Sequence, residues 1–168
     1  MSSHGVAAFN EMDEDVARDR LLTCLDVPRW ADKVLAARPY ETLGQLEDKI
    51  TEVAVTMSDE ELERALARHP RIGERPDATK HDASHSSREQ SGVDREDALI
   101  VRQLEQGNRA YEERFDRVFI IRAAGLTARE ILDQLRMRLH NSDELERAET
   151  IKQLTQIALR RNRETLGR

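Results

Sequence analysis

Three residues of this sequence, a histidine, a glutamate and an arginine, have side chains suited to acid–base chemistry on a small anion. His69 follows Leu62 and Leu66 at helical spacing and precedes Pro70, which stops a helix from continuing. Its imidazole is therefore predicted to point inward at a fixed angle. The structural alternative is a core histidine bonded to a backbone carbonyl, and spacing alone slightly favours that alternative.

A carboxylate and an amide stand side by side at Glu89 and Gln90, behind Ser86. Ser86 and Glu89 also have the spacing of a capping box, so a helix start is a strong alternative explanation of them. The functional interpretation makes Glu89 an acid or base and leaves the Gln90 amide to orient a polar ligand. Combined with His69, this set suits proton transfer to or from a small anion.

The last helical pattern carries an arginine on its apolar face. The apolar residues at helical spacing are Leu145, Ala148, Ile151, Leu154, Ile157 and Ala158. Arg161 lies on the same face, and a buried guanidinium needs an anionic partner, such as a carboxylate or a planar polar ligand. A salt bridge to a neighbouring acid, or an arginine stem that reaches back to solvent, are the alternatives. The neighbours Arg160 and Arg163 leave the choice of arginine open.

Helical patterns cover most of the chain that must position these residues. The 168 residues suggest one domain, and a content of 36% charged and 4% aromatic residues favours helices over sheets. Helices are predicted over 13–26, 28–39, 43–57, 59–69, 95–116 and 128–140. A last helix is predicted to begin at Asn141 and to contain Arg160, Arg161 and Arg163. Capping boxes are predicted at Ser58 with Glu61, Thr127 with Glu130, and Asn141 with Glu144.

Two connecting segments and two basic residues complete the predicted architecture. A long polar loop runs from Arg71 to about Ser86, and long loops inside compact domains are often functional. The strand-like run 118–121 is too short for a sheet, so we expect an extended connector or a buried helix start. Arg136 and Arg138 alternate with acids and are interpreted as parts of exposed helix faces.

Charge and composition narrow the class of protein. A net charge of −6 argues against nucleic acid as a partner. The single cysteine, Cys24, is interpreted as a small buried residue in a reducing compartment. No apolar run approaches the roughly 20 residues of a membrane span, and no secretory signal is apparent. His81 and His85 flank Asp82 in the polar loop without a third ligand, so no metal site is predicted. We therefore expect a cytoplasmic protein that does not bind membranes.

Three stretches of the chain resemble one enzyme family. They are "HPRIGER" from His69, "SSREQSGV" from Ser86 and "NRAYEERFDRVFIIRAAG", which contains Asn108, Tyr111 and Phe115. Together they resemble the decarboxylase that acts last in the oxidation of urate to allantoin, and the likeness covers nearly the whole chain. Its substrate is 2-oxo-4-hydroxy-4-carboxy-5-ureidoimidazoline (OHCU).

The resemblance implies a fold, an activity and a set of site residues. It implies an all-α, single-domain helical bundle over 1–168 with one polar active-site loop, and commonly a homodimer. It implies a carboxy-lyase that converts OHCU to (S)-allantoin without a cofactor or metal, with His69 and Glu89 as the catalytic pair. The substrate-binding residues it implies are Pro70, Ser86, Gln90, Ile121 and Arg161. One departure is Arg122, where relatives have an apolar residue or cysteine, so the packing of the connector is left open.

Two other classes of function fit the same residues. A helical binding module would use the inward His69 and Arg161 only structurally and would tolerate His69→Gln. A hydrolase of ureido compounds would use the same polar groups, but relatives of that type usually need a metal.

Overall fold

Helices make up the secondary structure of this protein. A computed structural model describes residues 2–72 and 98–166, and no strand is present in these two ranges. Its helices are α1 Ser2–Glu11, α2 Glu14–Cys24, α3 Pro28–Ala36, α4 Leu43–Ala54, α5 Asp59–Leu66, α6 Ala98–Phe115, α7 Ala128–Arg138 and α8 Asp143–Leu166. The all-α prediction is confirmed, although α1 was not anticipated. Within the described ranges, no helix is long and apolar enough to cross a membrane.

The first of two compact units comprises Met1–Ala65 and Leu154–Arg168. In it, α3 packs against both α2 and α4, and α1 packs against α4. Trp30 on α3 is buried and donates a hydrogen bond from its indole N–H to the Ile50 carbonyl at 3.0 Å. Cys24 is buried as predicted, and its burial raises the pKa of the thiol to about 12, so the thiolate is strongly disfavoured.

The second unit comprises Leu66–Gln153 and has its own apolar core. Helices α6 and α7 pack closely there, because a Cβ atom on Gly107 would lie 2.4 Å from the Leu135 Cδ2 atom. Gly107, which weakens the helical pattern in the sequence, has no side chain at this close approach, and a larger residue there would require Leu135 to shift. The core residues are Ile72, Ile100, Leu104, Tyr111, Phe115, Phe119, Ile121, Ala123, Ala128, Ile131, Leu132 and Leu135.

Local hydrogen bonds set most helix ends. The capping boxes at Ser58 with Glu61 and at Thr127 with Glu130 are both present. The third prediction is wrong, because the Ser142 hydroxyl, not Asn141, caps α8 by accepting from the Leu145 N–H at 3.2 Å.

The buried face of α8 differs from the predicted stripe over its first two turns. Leu145 is 63% exposed, and Ala148 is also exposed, whereas Glu146 and Thr150 are completely buried. The reason is that Arg138, predicted to lie on an exposed face, is only 3% exposed and pairs with Glu146. Charge pairing therefore decides which side of the helix turns inward there. Further along α8 the predicted stripe is confirmed at Ile151, Leu154, Ile157, Ala158 and Arg161.

Candidate active site

His69 lies in a turn directly after α5. The helix ends at Leu66, three residues earlier than predicted. The ring of Pro70 clashes with the residue before it, so helical backbone is disfavoured at His69. The His69 N–H still donates to the Leu66 carbonyl at 3.0 Å, which closes the turn. Both His69 and Pro70 are buried, so the predicted inward position of the histidine is confirmed. Its catalytic role stays a prediction.

Ile121 lies in the connector between α6 and α7. This segment, residues 118–123, has neither helix nor strand, which confirms the expected extended connector over a helix start. Phe119, Ile120, Ile121 and Ala123 are buried in it. Arg122 is exposed, so the departure from the family pattern at this position leaves the buried packing undisturbed.

Arg161 is the buried arginine of the last helix. It belongs to the first unit, is 1% exposed, and donates from Nη1 to the Thr23 carbonyl at 3.4 Å. Its two neighbours are each paired with an acid. Arg160 lies 3.3 Å from Glu164, and the exposed Arg163 lies 2.6 Å from Glu47. Of the three arginines, Arg161 alone is buried, as the helical spacing predicts.

The second unit contains a buried ion pair that was not predicted from the sequence. The Arg138 guanidinium donates to the Glu146 carboxylate from Nη2 at 2.6 Å and from Nε at 2.9 Å. Glu146 also accepts from Asn141 Nδ2 at 3.1 Å and from the Tyr111 hydroxyl. The Arg138 Cζ atom lies 4.5 Å from the centre of the Phe119 ring. These contacts compensate both buried charges, which is the condition for retaining them in a core.

The family motif on α6 supports this second unit. The Tyr111 hydroxyl bonds Glu146, and burial followed by that bond raises the pKa of the phenol to about 12. Asn108 is buried and donates from Nδ2 to the Ile72 carbonyl at 3.1 Å. The motif therefore anchors the chain just after His69 and Pro70. Phe115 packs on Tyr111 with ring centres 4.7 Å apart.

A cleft of about 620 Å³ opens in the second unit, and none of the predicted site residues that the structure describes lines it. Its lining consists of Arg71, Ile72, Val101, Leu104, Glu105, Asn108, Arg109, Glu112 and Glu113. Arg71 pairs with Glu112 at 2.7 Å at this cleft. Residues 73–97, which join Ile72 to α6, lie outside the described residues.

Several predicted site residues fall on that same segment. Ser86, Glu89 and Gln90 lie outside the described residues, as does the histidine pair His81 and His85. Of the remaining predicted residues, His69, Pro70 and Ile121 belong to the second unit and Arg161 to the first. Among the residues that the structure describes, no group of three His, Cys, Asp or Glu side chains is arranged to hold a metal ion.

Comparison with curated proteins finds relatives in urate degradation. The uric acid degradation bifunctional protein PucL of Bacillus subtilis (strain 168) is 26% identical over 151 residues, which is 89% of this chain and 30% of that protein. The uric acid degradation bifunctional protein of Bacillus sp. (strain TB-90) is 25% identical over 137 residues, or 80% of this chain and 26% of that protein. The chain thus spans less than a third of the length of either relative.

Solved structures establish the fold, and a family model establishes the family. The chain superposes on an OHCU decarboxylase crystallised in the presence of (S)-allantoin with a TM-score of 0.73, at 20% identity, over 89% of this chain and 99% of the other. It superposes on an (S)-allantoin synthase with a TM-score of 0.69, at 17% identity, over 95% and 53%. At these identities the likeness establishes the fold. The OHCU decarboxylase family model matches residues 10–163, and the chain therefore belongs to the OHCU decarboxylase family.

Proposed function

We propose that this protein is a carboxy-lyase that decarboxylates OHCU to (S)-allantoin in urate degradation, without a cofactor. The single observation that carries the proposal is the family match over residues 10–163. The buried, turn-anchored position of His69 supports it, because a proton-transfer group must be held at a defined angle to its substrate.

The substrate itself contains the electron sink that decarboxylation requires. In OHCU the leaving carboxylate is on a hydroxyl-bearing carbon next to a C=N bond. When the carbon–carbon bond breaks, its electron pair forms a C=C bond, and the C=N pair moves to nitrogen, which takes up a proton. The resulting enol then receives a proton at the ureido-bearing carbon as its hydroxyl becomes the carbonyl of allantoin. The protein's task is to orient the substrate, exclude water and direct these protons.

Each predicted residue has a role in this scheme. His69 and Glu89 hold the hydroxyl and carboxylate and handle the protons. Arg161 and the Gln90 amide orient the polar substrate, because a guanidinium matches a carboxylate or planar amide with paired hydrogen bonds. Ser86, Pro70 and the backbone of Ile121 hold the ring and its ureido arm. The burial of Arg161 supports its role, since a desolvated guanidinium binds an anion more strongly than an exposed one.

We also propose a domain organisation, an oligomeric state, a cellular location and a set of partners. We propose a single domain over residues 1–168, a homodimer and a cytoplasmic location. OHCU is the proposed partner, and neither nucleic acid nor a membrane is expected to bind. The net charge of −6 supports the exclusion of nucleic acid.

The handedness of the product tests the proposed reaction. Allantoin that forms from OHCU without an enzyme is racemic, since water protonates either face. In heavy water we expect the protein to accelerate carbon dioxide release and to yield (S)-allantoin with deuterium at the new C–H position. The measurement is an early quench, with chirality and isotope content read by circular dichroism and mass spectrometry.

The control is the same reaction without protein. Accelerated carbon dioxide release with racemic allantoin would show that neither His69 nor Glu89 delivers the final proton. No acceleration at all would favour a binding module, and a ureido hydrolase would release ammonia without carbon dioxide from the carboxylate.

Arg161→Ala is expected to lower kcat/KM more than Arg160→Ala or Arg163→Ala. A lost charge-assisted contact costs about 1.5–3 kcal/mol, or roughly tenfold or more in kcat/KM. The Arg160–Glu164 and Arg163–Glu47 pairs are only partly buried and contribute roughly 0–1 kcal/mol to stability, so their variants are matched controls. Steady-state kinetics and thermal unfolding are measured on all three variants. A fall in stability with unchanged kcat/KM would give Arg161 a structural role through its bond to Thr23.

A further inference from the structure

Two side-chain hydrogen bonds hold the two peptide groups that flank Ile121. The Ile120 carbonyl accepts from Arg138 Nη1 at 2.7 Å, which fixes the peptide group before Ile121. The Arg122 N–H donates to Gln153 Oε1 at 2.9 Å, which fixes the peptide group after it. Arg138 is at the end of α7 and Gln153 is on α8, and both residues belong to the second unit.

Peptide geometry passes these two constraints on to Ile121 itself. A peptide group is planar and its N–H points opposite to its C=O, so the bond from Arg138 sets the direction of the Ile121 N–H. By the same geometry, the bond to Gln153 sets the direction of the Ile121 carbonyl. Ile121 is 5% exposed, and neither of its backbone groups bonds another residue in the described ranges. A buried donor and acceptor of this kind call for a hydrogen-bonding partner.

Carboxylates of α8 in turn hold both supporting side chains. Arg138 is held by Glu146, as described above. Gln153 donates from Nε2 to Glu149 Oε1 at 2.9 Å. Because a carboxylate only accepts hydrogen bonds, this contact requires the amide nitrogen to face Glu149 and leaves the amide oxygen for Arg122. Each supporting side chain therefore has one orientation.

We propose that Arg138 and Gln153 are positioning residues, which direct the backbone N–H and C=O of Ile121 towards a ureido or lactam group of the substrate. A ureido group carries an N–H and a C=O side by side, and it pairs with a peptide donor and acceptor that are correctly aimed. Neither side chain needs to touch the substrate. The inference rests on the proposed function, in which the Ile121 backbone binds the substrate.

Gln153→Met tests the proposal with little risk to folding. Gln153 is only partly buried, and methionine keeps the length and helix propensity of glutamine while removing the acceptor oxygen. Gln156→Met is the matched control, because Gln156 is also partly buried on α8 and its side-chain amide has no hydrogen bond to any described residue. Gln153→Glu alone would keep an acceptor for the Arg122 N–H but would place two carboxylates in contact, so the conservative variant is the double substitution Glu149→Gln with Gln153→Glu. It exchanges the amide and the carboxylate, so that position 149 donates and position 153 accepts.

Three readouts are compared among these variants: KM, kcat, and the rate of solvent exchange of the Arg122 amide proton by NMR. For Gln153→Met we expect KM for OHCU and amide exchange each to rise about two- to tenfold, the loss of one neutral hydrogen bond, with kcat little changed. Gln156→Met should match the wild type, and the double variant Glu149→Gln with Gln153→Glu should recover most of both effects.

Two results would overturn the proposal. Faster amide exchange in Gln153→Met with an unchanged KM would show that the connector is anchored but that its orientation does not serve the substrate. Unchanged exchange would show that Gln153 does not hold the connector. If the wild type does not turn over OHCU, the proposed function fails and the substrate role fails with it, while the exchange rates still report on the anchoring.

Discussion

His69→Asn should fold normally and lose turnover of OHCU to near the uncatalysed background. Asparagine keeps a polar side chain of similar size in the turn before Pro70, but its amide neither takes up nor releases a proton near neutral pH. General acid–base catalysis contributes about 10²–10⁴-fold, so kcat should fall at least about a hundredfold. Carbon dioxide release and the far-ultraviolet circular dichroism spectrum are measured on the same sample.

His140→Asn is the control for this substitution. His140 is exposed after the end of α7, so its replacement should change neither kcat nor the spectrum. A folded His69→Asn variant with near-normal turnover would reject the catalytic assignment and leave a structural histidine. An unfolded His69→Asn variant, beside a normally folded His140→Asn control, would likewise show that His69 is a structural histidine.

Arg138→Met should produce the largest loss of stability among the substitutions considered. Methionine fills much of the same volume but leaves the Glu146 carboxylate buried without its cation. Removing one partner of a buried pair costs about 3–5 kcal/mol, because the remaining charge is uncompensated. The hydrogen bond to the Ile120 carbonyl is lost as well. The free energy of unfolding in urea at neutral pH measures the effect.

Arg136→Met provides the comparison on the same helix. Arg136 is exposed, so its replacement should change the free energy of unfolding by no more than about 0.5 kcal/mol. Adding Glu146→Gln to the Arg138→Met variant should recover part of the loss, because a neutral amide costs less to bury than a carboxylate. Equal stabilities for Arg138→Met and Arg136→Met would mean that the ion pair is not buried in solution.

Features that depend on near neighbours were predictable from the sequence. The capping boxes at Ser58 and Thr127 depend on residues three positions apart. The inward positions of His69 and Arg161 follow from helical spacing and from one proline, and the structure confirms both burials. The motifs that carry the family resemblance are likewise short stretches of chain, and they sufficed to indicate the family before any fold was known.

Features that depend on distant partners were decided only by the tertiary structure. The sequence pattern placed Arg138 on an exposed face and Leu145 on a buried one, and both predictions were wrong. Glu146 and Arg138 are buried because α6 and the connector supply Tyr111 and the Ile120 carbonyl to this pair. Burying a charge is favourable only with such partners, and amphipathic spacing on one helix carries no record of them. The local pattern therefore specified most of the helices and two of the three predicted capping boxes, whereas long-range pairing decided which face is buried at the end of α7 and the start of α8.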